Sequence, residues 1–465
     1  MSSSVTDHSR IPRIGRGMAT IFWFIVSIAL VAFIIVYGRE ISRLERAGTL
    51  VVVSTCYVIL YFFLRQFRSE ILKIPRKILF LLFIIPAFLI ITGKVSDLPG
   101  RNVIYFIPFA VIPVMIRIFF DARLALFILL VTIMMAAFMI QQPFEFILMS
   151  FISGMVAIFT LTNIYKHFQL LFTALMVIVA YSVLYTGIRM MNGDTFEDLI
   201  WTDYYRFLAN GAMILVCYPL ILIFENRFLF LSDATLLELA DTSQPLLRKL
   251  AEEAPGSFQH SLQVANLAEE AARVIGANLL LVRTGALYHD IGKIANPRYY
   301  IENQKDDVSP HDKLDPRISS RVIINHVKNG IVLARNYKIP AQIIDFIRTH
   351  HGTTVAYYFY KKHFDLNPGK DDSKKDFTYP GPKPFSKETA IVMMADAVEA
   401  SSRSLGNYSE ESISELVERI LLIQEQDGQF SDIPLTYKNI SDIKDIFKRR
   451  LSNIYHARIA YPDRD

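Results

Sequence analysis

Cysteine is scarce in this 465-residue chain: there are two, Cys56 and Cys217, and both lie inside apolar runs. They give no disulfide framework and no CxxC metal site. Long Lys/Arg runs with interleaved aromatics are also missing, and the net charge is only +5. A nucleic-acid footprint is therefore not expected, and the basic residues read as cytoplasmic-loop charge. The first apolar run is too long for a signal-peptide core and lacks an A-x-A cleavage site, so it reads as a retained span. What is abundant is apolar surface: 52% of residues, with a mean hydropathy of +0.32. It is concentrated in residues 18–230, whereas 231–465 have the dense Lys, Arg, Asp and Glu of a globular domain. The expected organisation is a tail (1–17), a transmembrane domain (18–230), a linker or coupling helix (231–250) and a soluble domain (251–465).

A helix needs about 20 apolar residues to cross a bilayer. Eight candidates fit: 18–37, 48–64, 78–94, 102–120, 123–141, 144–163, 168–188 and 207–230. Very short turns such as Asp121-Ala122 join several of them and imply antiparallel neighbours. The loop after the second span carries Arg65, Arg68, Lys73, Arg76 and Lys77, which places it in the cytoplasm. Alternation then puts Lys166, both termini and the soluble half inside. The segment 38–47 (GREISRLERA) falls outside despite Arg39, Arg43 and Arg46, and is the weakest part of this topology. Few ionisable residues sit within the spans, so no proton relay or ion path is expected. Arg117 lies near a predicted end and snorkels.

Beyond Ser232 the apolar residues recur at helical spacing and period-two alternation is lacking. The expected fold is all-α throughout: a polytopic transmembrane bundle followed by a helical soluble domain. The segment TLLELADTSQPLLRKL (235–250) carries helical spacing with a break at Pro245.

Histidine placement carries the chemistry. Seven of the ten histidines lie between 260 and 363, and five of them, His260, His289, His326, His350 and His351, sit on predicted helices. Asp290 follows His289 directly, and Asp396 sits on a later helix. A lone His on an amphipathic helix is usually solvated or satisfied in the core, and His311 and His363, in polar loops, are read as non-ligands. The ordered set His, His-Asp, His, His-His, Asp is different. Imidazole and carboxylate are the ligands of Zn, Fe and Mn sites. Seven are too many for one tetrahedral ion and suit two six-coordinate ions sharing a carboxylate.

At these residues the sequence resembles the HD-domain phosphohydrolase superfamily in its two-metal form. The words FQHSLQVANLAEEAA, GALYHDIGK, YYIENQ, SPHDKLDP, HVKNG, FIRTHHGTT, YPGPKP and MMADAVEASSRSL are similar to the membrane-bound 7TM-HD family of PgpH-type cyclic di-AMP phosphodiesterases. The resemblance implies a cytoplasmic HD domain at 251–465, in a multi-pass protein of the bacterial inner membrane. It implies Asp290 as a bridge, His260, His289 and Asp396 completing one metal site, and His326, His350 and His351 completing the other. It also implies two divalent ions, Fe or Mn; the residues themselves do not choose between these and Zn. Members of this family usually carry a large extracellular domain after the first span, where this chain has the ten residues 38–47.

The chemistry expected of such a site is hydrolysis of cyclic di-AMP to pApA, with Asp290 and Lys293 in the catalytic set. Two cations acidify a bridging water, and the resulting bridging hydroxide attacks phosphorus in line with the leaving 3′ oxygen. Lys293, three residues after Asp290, is expected to touch a phosphate oxygen, although a Lys ending a helix is also favoured by the dipole. Ser401 and Arg403 are further phosphate candidates, and Tyr299 and Tyr300 are candidates to stack on adenine or simply to pack. Expected partners are cyclic di-AMP, the lipid bilayer and a second copy of the chain in a homodimer, and no nucleic acid. Two other readings are hydrolysis of another dinucleotide such as cyclic di-GMP, and a receptor that binds nucleotide without cleaving it.

Overall fold

The structure, a computed structural model, describes residues 13–99, 102–161, 167–228, 230–304, 308–367 and 374–456. The expectations for residues 1–12 and for Lys166 lie outside the described residues. Among the described residues there is no strand, only an isolated antiparallel bridge between Val355 and Thr378. The chain divides into two compact units between Ser232 and Asp233.

The first unit contains α1 (Arg13–Val36), α2 (Arg43–Phe67), the short α3 (Ser69–Leu72), α4 (Pro75–Ser96), α5 (Val111–Phe119), α6 (Ala122–Ala137), α7 (Pro143–Thr160), α8 (His167–Met191), α9 (Trp201–Met213) and α10 (Cys217–Phe228). Helix α2 starts earlier than the apolar run that predicts it, because a capping box anchors it. Ser42 Oγ accepts from the Glu45 N–H at 3.2 Å, and the Glu45 carboxylate accepts from the Ser42 N–H at 2.6 Å. Half of the awkward 38–47 segment is thus a helical turn rather than a loop. The fourth expected span is broken into a 3-10 turn at Val103–Phe106 and α5, with Pro108 between them removing a backbone donor. The last begins at Trp201 and runs through a 3-10 turn at Ile214–Val216 into α10, where Pro219 cannot bond back to the Leu215 carbonyl.

Among the described residues six helices are long and apolar enough to cross a membrane; Val103–Phe119 and Ala122–Ala137 are shorter. The 16 residues of α6 reach about 24 Å at the helical rise, short of a bilayer core of about 30 Å. Small residues let the helices approach: a Cβ at Gly154 of α7 would overlap Leu129 of α6. One buried carboxylate, Asp203 on α9, is fully partnered. Asn102 Nδ2 and the Tyr185 hydroxyl donate to its Oδ2 at 2.7 and 2.6 Å, and Arg206 pairs with its Oδ1.

The second unit contains α11 (Asp233–Ala240), α12 (Pro245–Glu253), α13 (Pro255–Ile275), α14 (Leu279–Tyr288), α15 (Pro316–Asn336), α16 (Ala341–Thr349), α17 (Tyr357–Leu366), α18 (Lys387–Ser402), α19 (Glu410–Gln426) and α20 (Tyr437–His456). The segment expected as a linker is packed into this unit. Leu236, Leu246, Leu247 and Leu250 are buried, and the Leu236 and Leu239 carbonyls accept from the Thr284 and Tyr288 hydroxyls, each at 3.0 Å. Its helical apolar stripe needs such a surface, and Pro245 starts α12 rather than interrupting a longer helix. Helix α13 ends on Gly276 with φ +67°, the left-handed cap, and α14 opens on Asn278, whose Oδ1 accepts from the Leu281 N–H at 3.0 Å. This tight corner packs α13 along α14, and α18 crosses both. His260, His289 and Asp396 are thereby brought to one place.

Candidate metal centre

Five elements deliver the site. His260 comes from the second turn of α13, His289 and Asp290 from the end of α14, and His326 from α15. His350 and His351 follow α16, and Asp396 lies on α18. The turn after Asp290 can reach α15 only because residue 292 is glycine: a Cβ there would overlap the His326 carbonyl oxygen. Gly285 on α14 lies against the Phe346 ring of α16 in the same way. The small residues of the GALYHDIGK word are therefore close-approach positions.

The two oxygens of Asp290 face two different groups of imidazoles. Oδ2 lies 3.6 Å from His260 Nε2 and 3.3 Å from His289 Nε2. Oδ1 lies 3.4 Å from His326 Nε2 and 3.7 Å from His350 Nε2. Asp396 Oδ1 is 2.9 Å from His260 Nε2 and 3.6 Å from His289 Nε2, and its Oδ2 is 3.8 Å from His351 Nδ1. The donor atoms of His260, His289 and Asp396 lie within 4.8 Å of one another, as do those of His326, His350 and His351. All seven sequence-predicted ligands are thus brought together, and His260, His289, Asp290, His326, His350 and Asp396 are buried.

The imidazole tautomers follow from the opposite ring nitrogens. Nδ1 of His289 donates to the Ala286 carbonyl at 2.6 Å, Nδ1 of His326 to Ile323 at 2.6 Å, and Nδ1 of His350 to Ile347 at 2.9 Å. Nδ1 of His260 is held by the Glu399 carboxylate. In the neutral ring a proton on Nδ1 leaves the lone pair on Nε2, which each of these residues turns inward. Nε2 of His326 and Nε2 of His350 then face each other at 3.0 Å with no proton between them. His289 Nε2 and Asp290 Oδ1 have no hydrogen-bond partner. Lone pairs and carboxylate oxygens pointed at one another in a buried space are stable only around cations. The residues fit a metal centre on this ground.

Titration behaviour agrees. Burial opposes charge on His289, but Asp290 and Asp396 outweigh it and raise its pKa to about 10. Burial opposes ionisation of Asp290, but Lys293 and His289 hold it well below the usual carboxylate range, and His260 and His289 do the same for Asp396. His350 is driven well below its ordinary value by burial and by His351, and His351 falls to about 3 by burial. Protons on part of the cluster stand in for the charge that metal would supply.

A cleft of about 700 Å³ opens on this centre. His260, His350, His351 and Asp396 line it together with Lys293, Glu302, Ser401 and Arg403, and an apolar side is formed by Ile301, Met393, Ala397, Ala400, Ile420 and Ile423. Lys293, expected to meet phosphate, already pairs with Asp290 Oδ2 at 2.7 Å and with Glu302 Oε1 at 2.8 Å. The structure brings neither Tyr299 nor Tyr300 into the cleft. Tyr300 is buried with its ring 5.0 Å from the Lys293 ammonium, and Tyr299 packs on His311, their ring centroids 5.2 Å apart. His311 and His363 stay outside the cluster, His363 packing on Phe377.

Two functional neighbours escaped sequence reasoning. Glu399 was findable, since it lies one turn after Asp396 and faces the same side of α18. Glu302, on a 3-10 turn, carried no periodic signal; its carboxylate accepts from Ser257 Oγ at 2.8 Å while pairing with Lys293.

Comparison with known proteins gives matches over both units. Residues 43–232 match a family described as 7TM receptor with intracellular HD hydrolase, and residues 257–401 match the HD domain. The cyclic-di-AMP phosphodiesterase PgpH of Bacillus subtilis is 35% identical over 420 residues, covering 87% of this chain and 58% of that protein. The protein of the same name from Listeria monocytogenes is 31% identical over 444 residues, covering 95% and 58%. This chain therefore spans 58% of the length of these curated relatives. The crystal structure of the L. monocytogenes PgpH HD domain in complex with cyclic-di-AMP is 43% identical, with a TM-score of 0.45, and the match covers 46% of this chain and 100% of that one.

Proposed function

The chain belongs to the family of 7TM receptors with an intracellular HD hydrolase, and on that premise we propose that it is a membrane-anchored, metal-dependent phosphodiesterase that hydrolyses cyclic di-AMP to pApA. Two divalent ions would be held on either side of Asp290, by His260, His289 and Asp396 and by His326, His350 and His351, with Fe or Mn as the metal. When bound, such a pair supplies an activated water as nucleophile and neutralises charge on the phosphate. The chain's own residues do the rest. The main-chain carbonyls of Ala286, Ile323 and Ile347 fix three imidazoles with their Nε2 lone pairs inward. Lys293, Ser401 and Arg403 offer donors to a phosphate in the cleft, and the isoleucine side accepts a base. In the reaction the water oxygen adds to phosphorus, the P–O3′ bond breaks, and the 3′ oxygen leaves with a proton; a single cleavage opens the ring.

The observation that carries this reading is the set of inward lone pairs converging on the two oxygens of Asp290. The cleft volume of about 700 Å³ falls in the range of small-ligand sites, about 300–1,000 Å³. The basic loop at 65–77 supports placing the second unit in the cytoplasm. The full chain in detergent, loaded with Mn(II) and offered cyclic di-AMP and cyclic di-GMP in competition, should release pApA. Cleavage of cyclic di-GMP with no pApA would sink the substrate claim; no cleavage of either by protein shown to hold metal would sink the enzyme claim.

A further inference from the structure

Within the cluster, main-chain carbonyls orient His289, His326 and His350 through Nδ1; His260 is the exception. Its Nδ1 is held by the Glu399 carboxylate, while its Nε2 stands 2.9 Å from Asp396 Oδ1. Two carboxylates one turn apart on α18 thus grip the two nitrogens of a single imidazole. Glu399 acts on the ring nitrogen remote from the centre, so it is not itself placed as a ligand. It is buried, and its other oxygen is forked by Arg403, with Nε at 2.9 Å and Nη2 at 2.6 Å. Arg403 in turn lines the cleft, with 38% of its side chain exposed.

Resting on the dinuclear reading, we infer that Glu399 is a positioning residue for the His260–His289–Asp396 metal site, that Arg403 fixes Glu399, and that this pair makes that site adjustable separately from the His326–His350–His351 site. The physical reason is the nature of the partner. A carboxylate accepting the Nδ1–H raises the basicity of Nε2 and locks its tautomer more strongly than a neutral carbonyl does. A side-chain partner can also be displaced, and main-chain carbonyls inside a helix cannot. Arg403 grips one Glu399 oxygen through two guanidinium nitrogens and so holds the side chain in one rotamer. A phosphate entering the cleft would draw on the same guanidinium, so occupancy of the cleft and strength of this metal site are linked through one arginine. Among the described residues no comparable side chain reaches Nδ1 of His326 or His350.

The test uses the full chain in detergent as wild type, Glu399→Ala, Glu399→Gln and Arg403→Ala, each stripped by chelator and titrated with Mn(II), with free Mn(II) read by electron paramagnetic resonance. Wild type should bind two ions. Glu399→Ala should keep one tight ion and weaken the other about 10- to 100-fold, the usual span for such partners. Gln, which still accepts the hydrogen bond without the charge, should fall between, and Arg403→Ala should weaken the same ion by a smaller factor. Excess Mn(II) should restore the turnover number of Glu399→Ala. Equal weakening of both ions, or two ions at wild-type affinity in Glu399→Ala, overturns the inference. A wild-type count other than two overturns the dinuclear reading instead. If Glu399→Ala fails to fold, the isosteric Gln variant and Arg403→Ala carry the same outcomes.

Discussion

Buried carboxylates in the two units meet opposite neighbours. In the membrane unit Asp203 is surrounded by donors: an amide, a phenol and a guanidinium. Nothing further is needed to make that arrangement stable. In the second unit Asp290 and Asp396 are also buried, and apart from the Lys293 ammonium at Asp290 Oδ2 they face imidazole nitrogens, with the opposite ring nitrogens of His260, His289, His326 and His350 tied to carbonyls and Glu399. That arrangement is incomplete without cations. Burial of a charged residue therefore does not mark a site by itself, and the sign of what surrounds it does.

The largest expected effect tests this contrast directly. Asp290→Asn keeps size and removes the charge shared by the two groups of ligands; turnover of cyclic di-AMP should fall about 10³-fold or more. Asp203→Asn should leave turnover per folded molecule within a few fold, while costing stability of about 1–3 kcal/mol by disturbing its donors. Initial rates normalised to folded protein decide the matter. Loss of catalysis in Asp203→Asn comparable to that in Asp290→Asn would erase the distinction.

A second pair of substitutions sharpens it through packing. Gly292→Ala places a methyl on the His326 carbonyl oxygen, a backbone atom that cannot step aside without dragging α15 and its ligand. The cost should be about 3 kcal/mol, at the upper end for overpacking. Gly154→Ala in the membrane unit meets only the end of the Leu129 side chain, which can change rotamer, so about 1 kcal/mol is expected. Thermal melts of both variants check the order.

The same contrast explains what was legible in the sequence. The cluster of seven candidate ligands was readable because imidazoles and carboxylates recur in that order and helical periodicity placed them on elements that converge. Their partners were less readable. Main-chain carbonyls that orient His289, His326 and His350 leave no letter in the sequence, and Glu302 sits on a turn without period. For the tyrosines the sequence left stacking and packing open, because adjacency in sequence does not give direction: Tyr300 follows Asp290 by ten residues and is buried with its ring over Lys293. In the membrane unit hydropathy located the apolar segments, whereas the start of α2 depended on a cap and the breaks near Pro108 and Pro219 on missing donors.

Acid and base should separate the units as well. In metal-free protein the pKa of His289 is raised from 6.5 to about 10, so its stabilisation is complete below pH 6.5 and is lost as pH climbs toward 10. His351 is depressed from 6.5 to about 3, so its contribution is complete above 6.5 and is lost as pH falls toward 3; Asp290 and Asp396, held low, add losses below the ordinary carboxylate value of 3.8. Stability of the chelated second unit should therefore peak near pH 6.5, and Mn(II) should broaden the peak toward alkaline pH. Both tryptophans, Trp23 and Trp201, lie in the first unit. Fluorescence melts should thus stay indifferent to chelator while circular dichroism melts shift. A chelator-dependent fluorescence transition would break the separation.

The smallest expected effect concerns a residue beside the site in sequence but satisfied elsewhere. Tyr299 packs its ring on His311, and its carbonyl lies 2.9 Å from His311 Nε2. Like Asp203, it already has its partners. Tyr299→Ala should change KM for cyclic di-AMP less than about twofold, the range of substitutions away from special features. Ile423→Ala, on the apolar side of the cleft, removes surface against which a base would lie and should raise KM about tenfold, as loss of roughly 1–3 kcal/mol of stacking requires. If the order were reversed, the adenine would be lying on the tyrosine side, and the rule that partnered groups are structural while unpartnered surfaces are functional would fail within the second unit itself.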